Sequence, residues 1–400
     1  MVNQLPQGWK EEELGKLVDI FDNLRKPVSS TERLARIKNK DKSELYPYYG
    51  ATGLVDYIDG YIFDGEYLLL GEDGCPFLDS LKDKAYIISG KTWVNNHAHV
   101  LRAKENKTSN KFLLYYLNKF DYNGIVSGAT RLKLNQNSMK KIPVYYPTDK
   151  SEQEYIVKTL DAVAEIIRLR KENIQLTKDL IPAIFHEMFG NPITNPKGWE
   201  ITTLGNPDVC TLQYGYTATA QDSGNTRYIR ITDIGKDGYI DNGNKTWLNY
   251  DNKMEDYKLY PKDILVARTE ASYGKTLLYN NDTDAIFASF LIRIIFNKKK
   301  IIPEFYWAYS LTDSYWQQAN RLVSGVAQPQ FNGSALKQIL LMLPPLSMQE
   351  KFADKVEQIN KYIAAQQEEL EQFETLFQSL LQEAFTGILT WKYPRKESND

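Results

Sequence analysis

The feature of this chain that most constrains its fold is an internal duplication with a period of about 190 to 197 residues. The segment LPQGWKEEELG near the start returns as NPKGWEITTLG in the middle of the chain. The tripeptide Val-Ser-Gly at 126–128 returns at 323–325, and the Ser-x-Gln-Glu motif at 151–154 returns at 347–350. A solenoid repeat is far shorter than this period. The sequence therefore predicts two copies of one unit, each a domain of about 150 residues followed by a long helix.

The last part of each copy has the hydrophobic periodicity of a coiled coil, because apolar residues recur at alternating steps of four and three. The predicted seam consists of Ile156, Leu160, Val163, Ile167, Ile174, Ile181, Ile184 and Met188 in the first copy and Phe352, Val356, Ile359, Ile363, Leu370, Phe373, Phe377, Leu380 and Ala384 in the second. Each seam has one polar interruption at an equivalent place, Arg170 and Gln366, which we expect to fix the helix register at some cost in stability. A Ser-x-x-Glu capping box is predicted to start each helix, at Ser151 and at Ser347. A single helix cannot bury such a stripe, so the two helices are predicted to pack as an antiparallel coiled coil whose outer faces remain available to partners.

The remaining segments are predicted to be α+β domains, because short strand-like runs and two amphipathic helical runs lie between Gly, Asn, Asp and Pro clusters. The clearest strand-like runs are 67–71, 84–89, 97–103, 263–270 and 290–296, and the helical runs are 110–120 and 303–313. The predicted boundaries are a first domain at 1–150, a central helix at 151–190, a second domain at 191–346, a C-terminal helix at 347–390 and a polar tail at 391–400.

Composition excludes several classes of protein. The two cysteines give no disulfide framework, and no segment has the apolar length of a membrane span or a signal region, so a cytoplasmic protein is expected. The net charge of -2 argues against a wholly basic nucleic-acid coat, but the charge is unevenly distributed. Residues 151–188 carry a net charge of -2, residues 347–385 carry -5, and the rest of the chain carries +5. This distribution predicts that the domains, and not the helices, approach a polyanion.

Enzymatic motifs are absent from the sequence. It contains no glycine-rich nucleotide loop, no nucleophile elbow and no Asn-Pro-Pro-aromatic tetrapeptide of adenine methyltransferases. His97 and His99 would share one strand face, but no neighbouring cysteine or patterned carboxylate completes a metal shell. The chain is therefore predicted to catalyse no reaction and to bind no metal or cofactor by itself.

The domains do offer polar loops that suit base edges and phosphates. Arginine and lysine can pair with guanine, and asparagine and glutamine with adenine, while both cations also neutralise phosphates. The candidate DNA-binding residues are Lys91, Thr92, Asn95, Asn96, Ser127, Gly128, Thr130, Arg131 and Lys133 in the first copy and Arg227, Arg230, Arg268, Thr269, Lys275, Ser324, Gly325, Gln328 and Gln330 in the second. The recurring Ser-Gly loops would equally suit a shared structural turn.

Taken in order, these motifs resemble those of the specificity subunits of type I restriction–modification systems. The resemblance rests on the duplicated Gly-Trp start, the Val-Ser-Gly loop, the proline-to-glutamine entry into each helix, FGNP at 189–192 and QSLLQEAFTGILT at 378–390. It implies two target-recognition domains, each reading one half of an interrupted DNA target, related by an approximate two-fold axis through the paired helices. The helix length would then act as a ruler for the unspecified spacer.

The resemblance also implies two methylation subunits that bring S-adenosylmethionine and adenine-N6 chemistry, and it allows for restriction subunits that use ATP and Mg²⁺. Two other functions are compatible with the residues alone. One is a coiled-coil scaffold that presents two protein-binding domains without any role for DNA. The other is a stand-alone methyltransferase or nuclease, which the missing motifs disfavour.

Overall fold

A computed structural model of the chain describes residues 5–241, 243–281, 283–325 and 329–391. The chain divides into two compact units. Unit 1 comprises Met1–Leu169 and Leu370–Asp400, and unit 2 comprises Arg170–Glu369. Each unit therefore combines a mixed domain with one half of each of two long helices.

Unit 1 contains three sheets. Its strands are β1 (Trp9–Glu13), β2 (Val18–Ile20), β3 (Tyr46–Gly50), β4 (Gly53–Ile58), β5 (Phe63–Asp64), β6 (Tyr67–Gly71), β7 (Ala85–Ile88), β8 (Lys91–Val94), β9 (Ala98–Ala103) and β10 (Pro143–Pro147). Its helices are α1 (Leu14–Leu17), α2 (Ser30–Ile37), α3 (Asn110–Lys119), α4 (Gln136–Lys140) and the first half of the long helix α5 (Lys150–Phe189). The sheets have the strand orders β2-β9-β6-β7, β4-β3-β8-β5 and β1-β10, and only the β3–β8 pair is parallel among them.

Unit 2 repeats this plan. Its strands are β11 (Glu200–Thr203), β12 (Cys210–Tyr214), β13 (Thr226–Ile229), β14 (Trp247–Leu248), β15 (Asp263–Ala267), β16 (Thr276–Tyr279), β17 (Ala285–Phe287), β18 (Leu291–Phe296) and β19 (Leu340–Leu343). The helices that follow are α6 (Pro303–Ser310), α7 (Asp313–Leu322), α8 (Gly333–Leu336), the long helix α9 (Leu346–Thr386) and α10 (Ile388–Trp391), of which α10 and the end of α9 belong to unit 1. The order β12-β18-β15-β16 corresponds to β2-β9-β6-β7, and the parallel pair β13–β17 corresponds to β3–β8. The predicted duplication and mixed fold are confirmed, and the strand and helix runs singled out in the sequence form β6, β7, β9, β15, β18, α3 and α6.

The long helices are antiparallel, as the heptad pattern predicts. In unit 1, Ile156 and Leu160 of α5 share a core with Leu381 and Ala384 near the end of α9. In unit 2, the end of α5 shares a core with Phe352 near the start of α9. Of the predicted seam residues, Ile156, Leu160, Val163, Ile174, Ile181, Phe352, Val356, Ile363 and Ala384 are buried, and Ile167, Ile184, Met188, Ile359, Leu370, Phe373, Phe377 and Leu380 are half-buried.

The seam of α5 changes its stepping after Ile181. The fully buried residues of the last two turns are Phe185 and Phe189, and not the predicted Ile184 and Met188. Both phenylalanine rings contact Phe305 of α6 in edge or stacked geometry, at centroid distances of 5.5 and 4.8 Å. The end of α5 therefore packs against the mixed domain of unit 2 as well as against α9, and this second partner rotates the buried face.

The helix starts also differ from the prediction. Helix α5 begins at Lys150, and the Asp149 carboxylate accepts a hydrogen bond of 2.9 Å from the Ser151 amide. Helix α9 begins at Leu346, before Ser347. The predicted capping boxes are therefore wrong, because each serine already lies in the first turn of its helix.

Two buried glutamines lock the helix starts to their domains in the same way. Gln349 of α9 donates from Nε2 to the carbonyls of Pro344 at 2.9 Å and Lys300 at 3.0 Å. Gln153 of α5 donates to the carbonyls of Pro147 at 2.8 Å and Lys107 at 2.9 Å. The repeated geometry gives a physical role to the glutamine that the two copies share.

The two polar interruptions lie in different environments. The guanidinium of Arg170 pairs with the carboxylate of Glu369 at the helix surface. Gln366 is buried, and its Oε1 has no hydrogen-bond partner among the described residues. A buried oxygen without a donor is costly, so Gln366 fits the expected stability cost. Its proposed role in register remains a prediction.

Candidate nucleic-acid interface

Unit 1 brings its two predicted recognition loops together around one cleft of about 540 Å³. The loop after β8 supplies Asn95 and Asn96, and the loop before α4 supplies Arg131. Asp73, which follows β6, joins the loops because its Oδ1 accepts a hydrogen bond of 2.7 Å from Arg131 Nη2 and lies 2.7 Å from Nδ1 of His97. The cleft therefore presents amide and guanidinium groups, which are the donors and acceptors that read base edges.

The serine of the Ser-Gly motif forms the same backbone pairing in each copy. The amide of Lys133 donates to the carbonyl of Ser127 at 2.7 Å, and the amide of Gln330 donates to the carbonyl of Ser324 at 2.7 Å. Gly128 has a φ of 104°, and a Cβ at this position would lie 2.3 Å from the carbonyl oxygen of Arg131, so only glycine fits. The shared backbone pairing supports the interpretation as a structural turn, and contact with DNA remains a prediction for these residues.

The other predicted residues of unit 1 fall into two groups. Thr92 and Asn95 are buried, and the side-chain oxygen of Asn95 accepts a hydrogen bond of 2.8 Å from the amide of His97. The exposed residues are Lys91, Asn96, Ser127, Gly128, Thr130, Arg131 and Lys133. Lys91 places its ammonium 4.8 Å from the ring centroid of Tyr61. The exposed group is therefore the one available to a ligand.

A network of charged side chains links the segments that line this cleft. Arg25 donates to the Glu72 carboxylate at 2.7 Å, and Lys133 Nζ lies 3.5 Å from the other oxygen of the same carboxylate. His99 Nδ1 lies 2.7 Å from Asp22, and Nε2 of the same ring lies 2.8 Å from the carbonyl of Leu134. Burial alone would raise the pKa of Asp22, but hydrogen bonds from His99, Gln136 and the Val100 amide, with the charge of His99, hold that pKa below its ordinary value. The network ties the turn between Ser127 and Leu134 to the sheet.

The two histidines of β9 and the preceding loop do not face each other as a pair of ligands would. His97 and His99 are each paired with a different carboxylate, Asp73 and Asp22. Within the described ranges, no three His, Cys, Asp or Glu side chains form a group that could hold a metal ion. Over those same ranges, no helix has the length and apolar character of a membrane span.

Unit 2 places Arg268 where unit 1 places Glu72. Its guanidinium carbon lies 5.2 Å from the ring centroid of Tyr214 and 5.6 Å from that of Phe290. The Tyr214 hydroxyl accepts a hydrogen bond of 3.0 Å from the amide of Gly333. Arg268 is therefore held between two aromatic rings at the end of β15.

The remaining predicted residues of unit 2 occupy diverse positions. Arg227 is only 4% exposed, pairs with Asp233 at 3.3 Å and donates to the Thr246 carbonyl at 2.9 Å, so its partners are within the domain. The side chain of Thr269 is buried, those of Arg230, Lys275 and Gln330 are half-buried, Ser324 and Gly325 are exposed, and Gln328 lies outside the described residues. Among these, the Nε atom of Arg230 and the Oγ1 atom of Thr269 are buried with no hydrogen-bond partner in the described part of the chain.

The two units share a backbone frame at these positions but differ in their side chains. The amide of Leu134 donates to the carbonyl of Glu72 at 2.7 Å, and the amide of Phe331 donates to the carbonyl of Arg268 at 2.7 Å. Strand pairing gives the remaining equivalences. Gly71 pairs with Ala98 in unit 1, and the corresponding Ala267 pairs with Leu291 in unit 2. The equivalent pairs are Glu72 and Arg268, Asp73 and Thr269, Asn95 and Ala288, and His97 and Phe290. Sequence reasoning missed Asp73, Tyr214 and Phe290, although the matched runs before Glu72 and Arg268 could have indicated the correspondence.

Comparison with known proteins points to one family. A family model described as the type I restriction modification DNA specificity domain matches residues 6–178 and 196–375, which is most of the chain in two copies. A putative type I restriction enzyme specificity subunit of Haemophilus influenzae is 30% identical over 378 residues, which cover 89% of each protein. The EcoDI specificity subunit of Escherichia coli is 25% identical over 99% of this chain and 92% of its own length. Among solved structures, the type I restriction–modification S subunit of M. genitalium has the same fold, with a TM-score of 0.53 and 14% identity over 96% of this chain and 98% of its own.

Proposed function

Because the chain belongs to the type I restriction–modification DNA specificity family, we propose that it recognises an interrupted, bipartite sequence in double-stranded DNA. Each unit would read one half of the target. The specificity subunits of these systems are non-catalytic, and the chain would direct methylation subunits, and restriction subunits where the system has them, to the bound site. S-adenosylmethionine, ATP and Mg²⁺ would then be used by those partners, in the cytoplasm.

The observation that carries this proposal is that the two units share the same backbone hydrogen bonds at the candidate site but carry different side chains there. Where unit 1 carries Glu72 and His97, unit 2 carries Arg268 and Phe290 on the same backbone hydrogen bonds. Carboxylates accept hydrogen bonds and guanidinium groups donate them, so the two units carry different hydrogen-bonding groups on the same frame. A duplicated frame with changed chemistry is what two different half-sites require. The target is therefore proposed to be asymmetric in sequence.

An apolar stripe on α5 supports partner docking. Ile166, Leu169, Leu176 and Leu180 recur at steps of three, seven and four and are all exposed. Residues at these steps lie on one face of a helix. We propose that Ile166 and Leu169, with the exposed Leu376 of α9, receive one methylation subunit at unit 1. Leu176 and Leu180, with the exposed Tyr362 of α9, would receive another at unit 2.

The test is to co-express the chain with its methylation subunit and to map methylated adenines across the host genome by single-molecule sequencing. The proposal predicts one interrupted motif, and a culture that expresses the methylation subunit alone serves as the control. An absence of new methylated adenines, together with a stable complex of the two proteins, would favour the alternative of a coiled-coil scaffold without a role for DNA.

A further inference from the structure

We infer that Arg268 reads a guanine in the half-site bound by unit 2, and that Tyr214 and Phe290 are positioning residues that hold its guanidinium. This inference rests on the proposed function. It assigns a base to one side chain, which the family relationship does not do.

The first argument is that the main chain at Arg268 is fixed on both sides. Its amide donates to the carbonyl of Phe290 at 3.0 Å, and its carbonyl accepts from the amide of Phe331 at 2.7 Å. The side chain therefore leaves the sheet from a fixed point. Its guanidinium lies between the rings of Tyr214 and Phe290, which restrict it further.

The second argument is that no side-chain hydrogen bond or ion pair joins this guanidinium to the described residues of unit 2. Arg268 forms no ion pair with the described residues, and its Nε atom is buried without a hydrogen-bond partner among them. Arg227, by contrast, pairs with Asp233 and donates from Nη1 to the carbonyls of Thr246 and Tyr228, although its Nη2 also has no hydrogen-bond partner among the described residues. A planar guanidinium with free donors matches the O6 and N7 acceptors of guanine in the major groove.

The third argument concerns the rings themselves. Phe290 is 50% exposed, so its ring lies at the surface beside the guanidinium of Arg268. The Tyr214 ring is held by the hydrogen bond from the Gly333 amide, and a Cβ at Gly333 would lie 2.8 Å from the Tyr214 hydroxyl oxygen. The Tyr214 hydroxyl is therefore anchored to the backbone at the start of α8, and preorganisation of this kind lowers the entropic cost of recognition.

Unit 1 shows why this assignment belongs to one half-site only. The equivalent Glu72 is a carboxylate that is already paired with Arg25 at 2.7 Å. A carboxylate cannot donate a hydrogen bond to guanine, and the carboxylate of Glu72 is already engaged by Arg25 within unit 1. Substitutions of Arg268 should therefore change one half of the target and leave the other half intact.

The test uses the intact complex with the methylation subunit and maps methylated adenines for wild type, Arg268→Lys, Arg268→Gln and Phe290→Leu. Arg268→Lys keeps the charge but loses the fork of donors, so selectivity for one guanine in the unit 2 half-site should fall by roughly tenfold or more. Arg268→Gln should lose the same guanine and gain methylation at sites with adenine there, while Phe290→Leu should reduce selectivity by roughly two- to fivefold. Arg321→Gln, at an exposed arginine of α7, is the matched control and should keep the wild-type motif.

An unchanged first half-site in each variant motif shows that the variant complex is folded and bound. The inference is overturned if both Arg268 variants keep the full wild-type motif. It is also overturned if they lower methylation uniformly at all wild-type sites, because that result identifies a phosphate contact. In either case an interrupted motif for the wild-type chain leaves the proposed function standing, whereas the absence of any wild-type motif defeats the proposed function itself.

Discussion

The buried Gln349 provides a quantitative test of how the second long helix is joined to its domain. Its side chain is 0% exposed and makes three hydrogen bonds to backbone groups. Nε2 donates to the carbonyls of Pro344 and Lys300, and Oε1 accepts from the amide of Ile302 at 3.0 Å. Gln153 makes the corresponding pair of donations in unit 1, but its Oε1 is buried without a partner among the described residues.

Replacing Gln349 with alanine removes three hydrogen bonds, and at about 1 kcal/mol each the free energy of unfolding of unit 2 should fall by about 3 kcal/mol. Gln153→Ala removes two bonds and should cost unit 1 about 2 kcal/mol. Gln349→Glu keeps the size of the side chain but turns an acceptor toward two carbonyl oxygens, so it should destabilise unit 2 at least as much as Gln349→Ala. Gln358→Ala, at an exposed glutamine of the same helix, should have little effect.

The assay follows alkylation of the two cysteines, which lie in different units and are both buried. Cys210 reports on unit 2 and Cys75 on unit 1, because each thiol becomes reactive only when its surroundings open. A loss of 3 kcal/mol corresponds to ~100-fold faster alkylation of Cys210 in Gln349→Ala when closing is faster than labelling. Cys75 should react at close to its wild-type rate. Equal rates of Cys210 labelling in wild type and Gln349→Glu would refute this account of the helix junction.

Three further predictions follow from single residues. Asp22→Asn should lower the stability of unit 1 at pH 7, by about 1–3 kcal/mol, because it replaces a buried hydrogen-bonded carboxylate. The lowered pKa of Asp22 means that its charged form stabilises the folded state above the ordinary pKa of about 3.9 and that this contribution is lost as the pH falls through the folded-state pKa. The gap between the urea midpoints of the two proteins should therefore narrow between about pH 5 and pH 3, and a constant gap contradicts the argument. Gln366→Leu should raise the stability of unit 2 by about 1 kcal/mol, because it removes a buried oxygen that lacks a donor, and a lower urea midpoint opposes this. If Arg170→Leu combined with Gln366→Leu keeps both helix register and target spacer, the register hypothesis fails. Finally, burial raises the pKa of the Cys75 thiol to about 12 and that of Cys210 to about 11, so iodoacetamide at pH 8 should leave both thiols largely unmodified until the protein unfolds, and rapid labelling of the folded protein would show that they are accessible.

The sequence predicted those parts of the fold that depend on local pattern. The duplication, most of the seam and the strands β6, β9, β15 and β18 are visible because hydrophobic periodicity acts over a few residues. The end of α5 was mispredicted because Phe185 and Phe189 pack on Phe305, more than 110 residues away along the chain. Nothing local to the helix indicates that second partner.

The candidate site was predicted less completely, for the same physical reason. The contact of Arg131 with Asp73 joins residues 58 positions apart. The contacts of Arg268 with Tyr214 and Phe290 join three segments that are distant from one another in the sequence. Arginine at position 227 carries the same charge as Arg268, yet it is buried against Asp233. Residue type shows which side chains could bind a base, but strand pairing decides which of them have free donors.

The most direct test of the bipartite assignment is to exchange residues 191–346 for the equivalent segment of a relative and to map methylated adenines with the same methylation subunit. The two-domain account predicts that one half of the interrupted motif changes while the other half and the spacer length stay the same. A motif that keeps both halves, or one that changes in both, would contradict the claim that each unit reads its own half of the target.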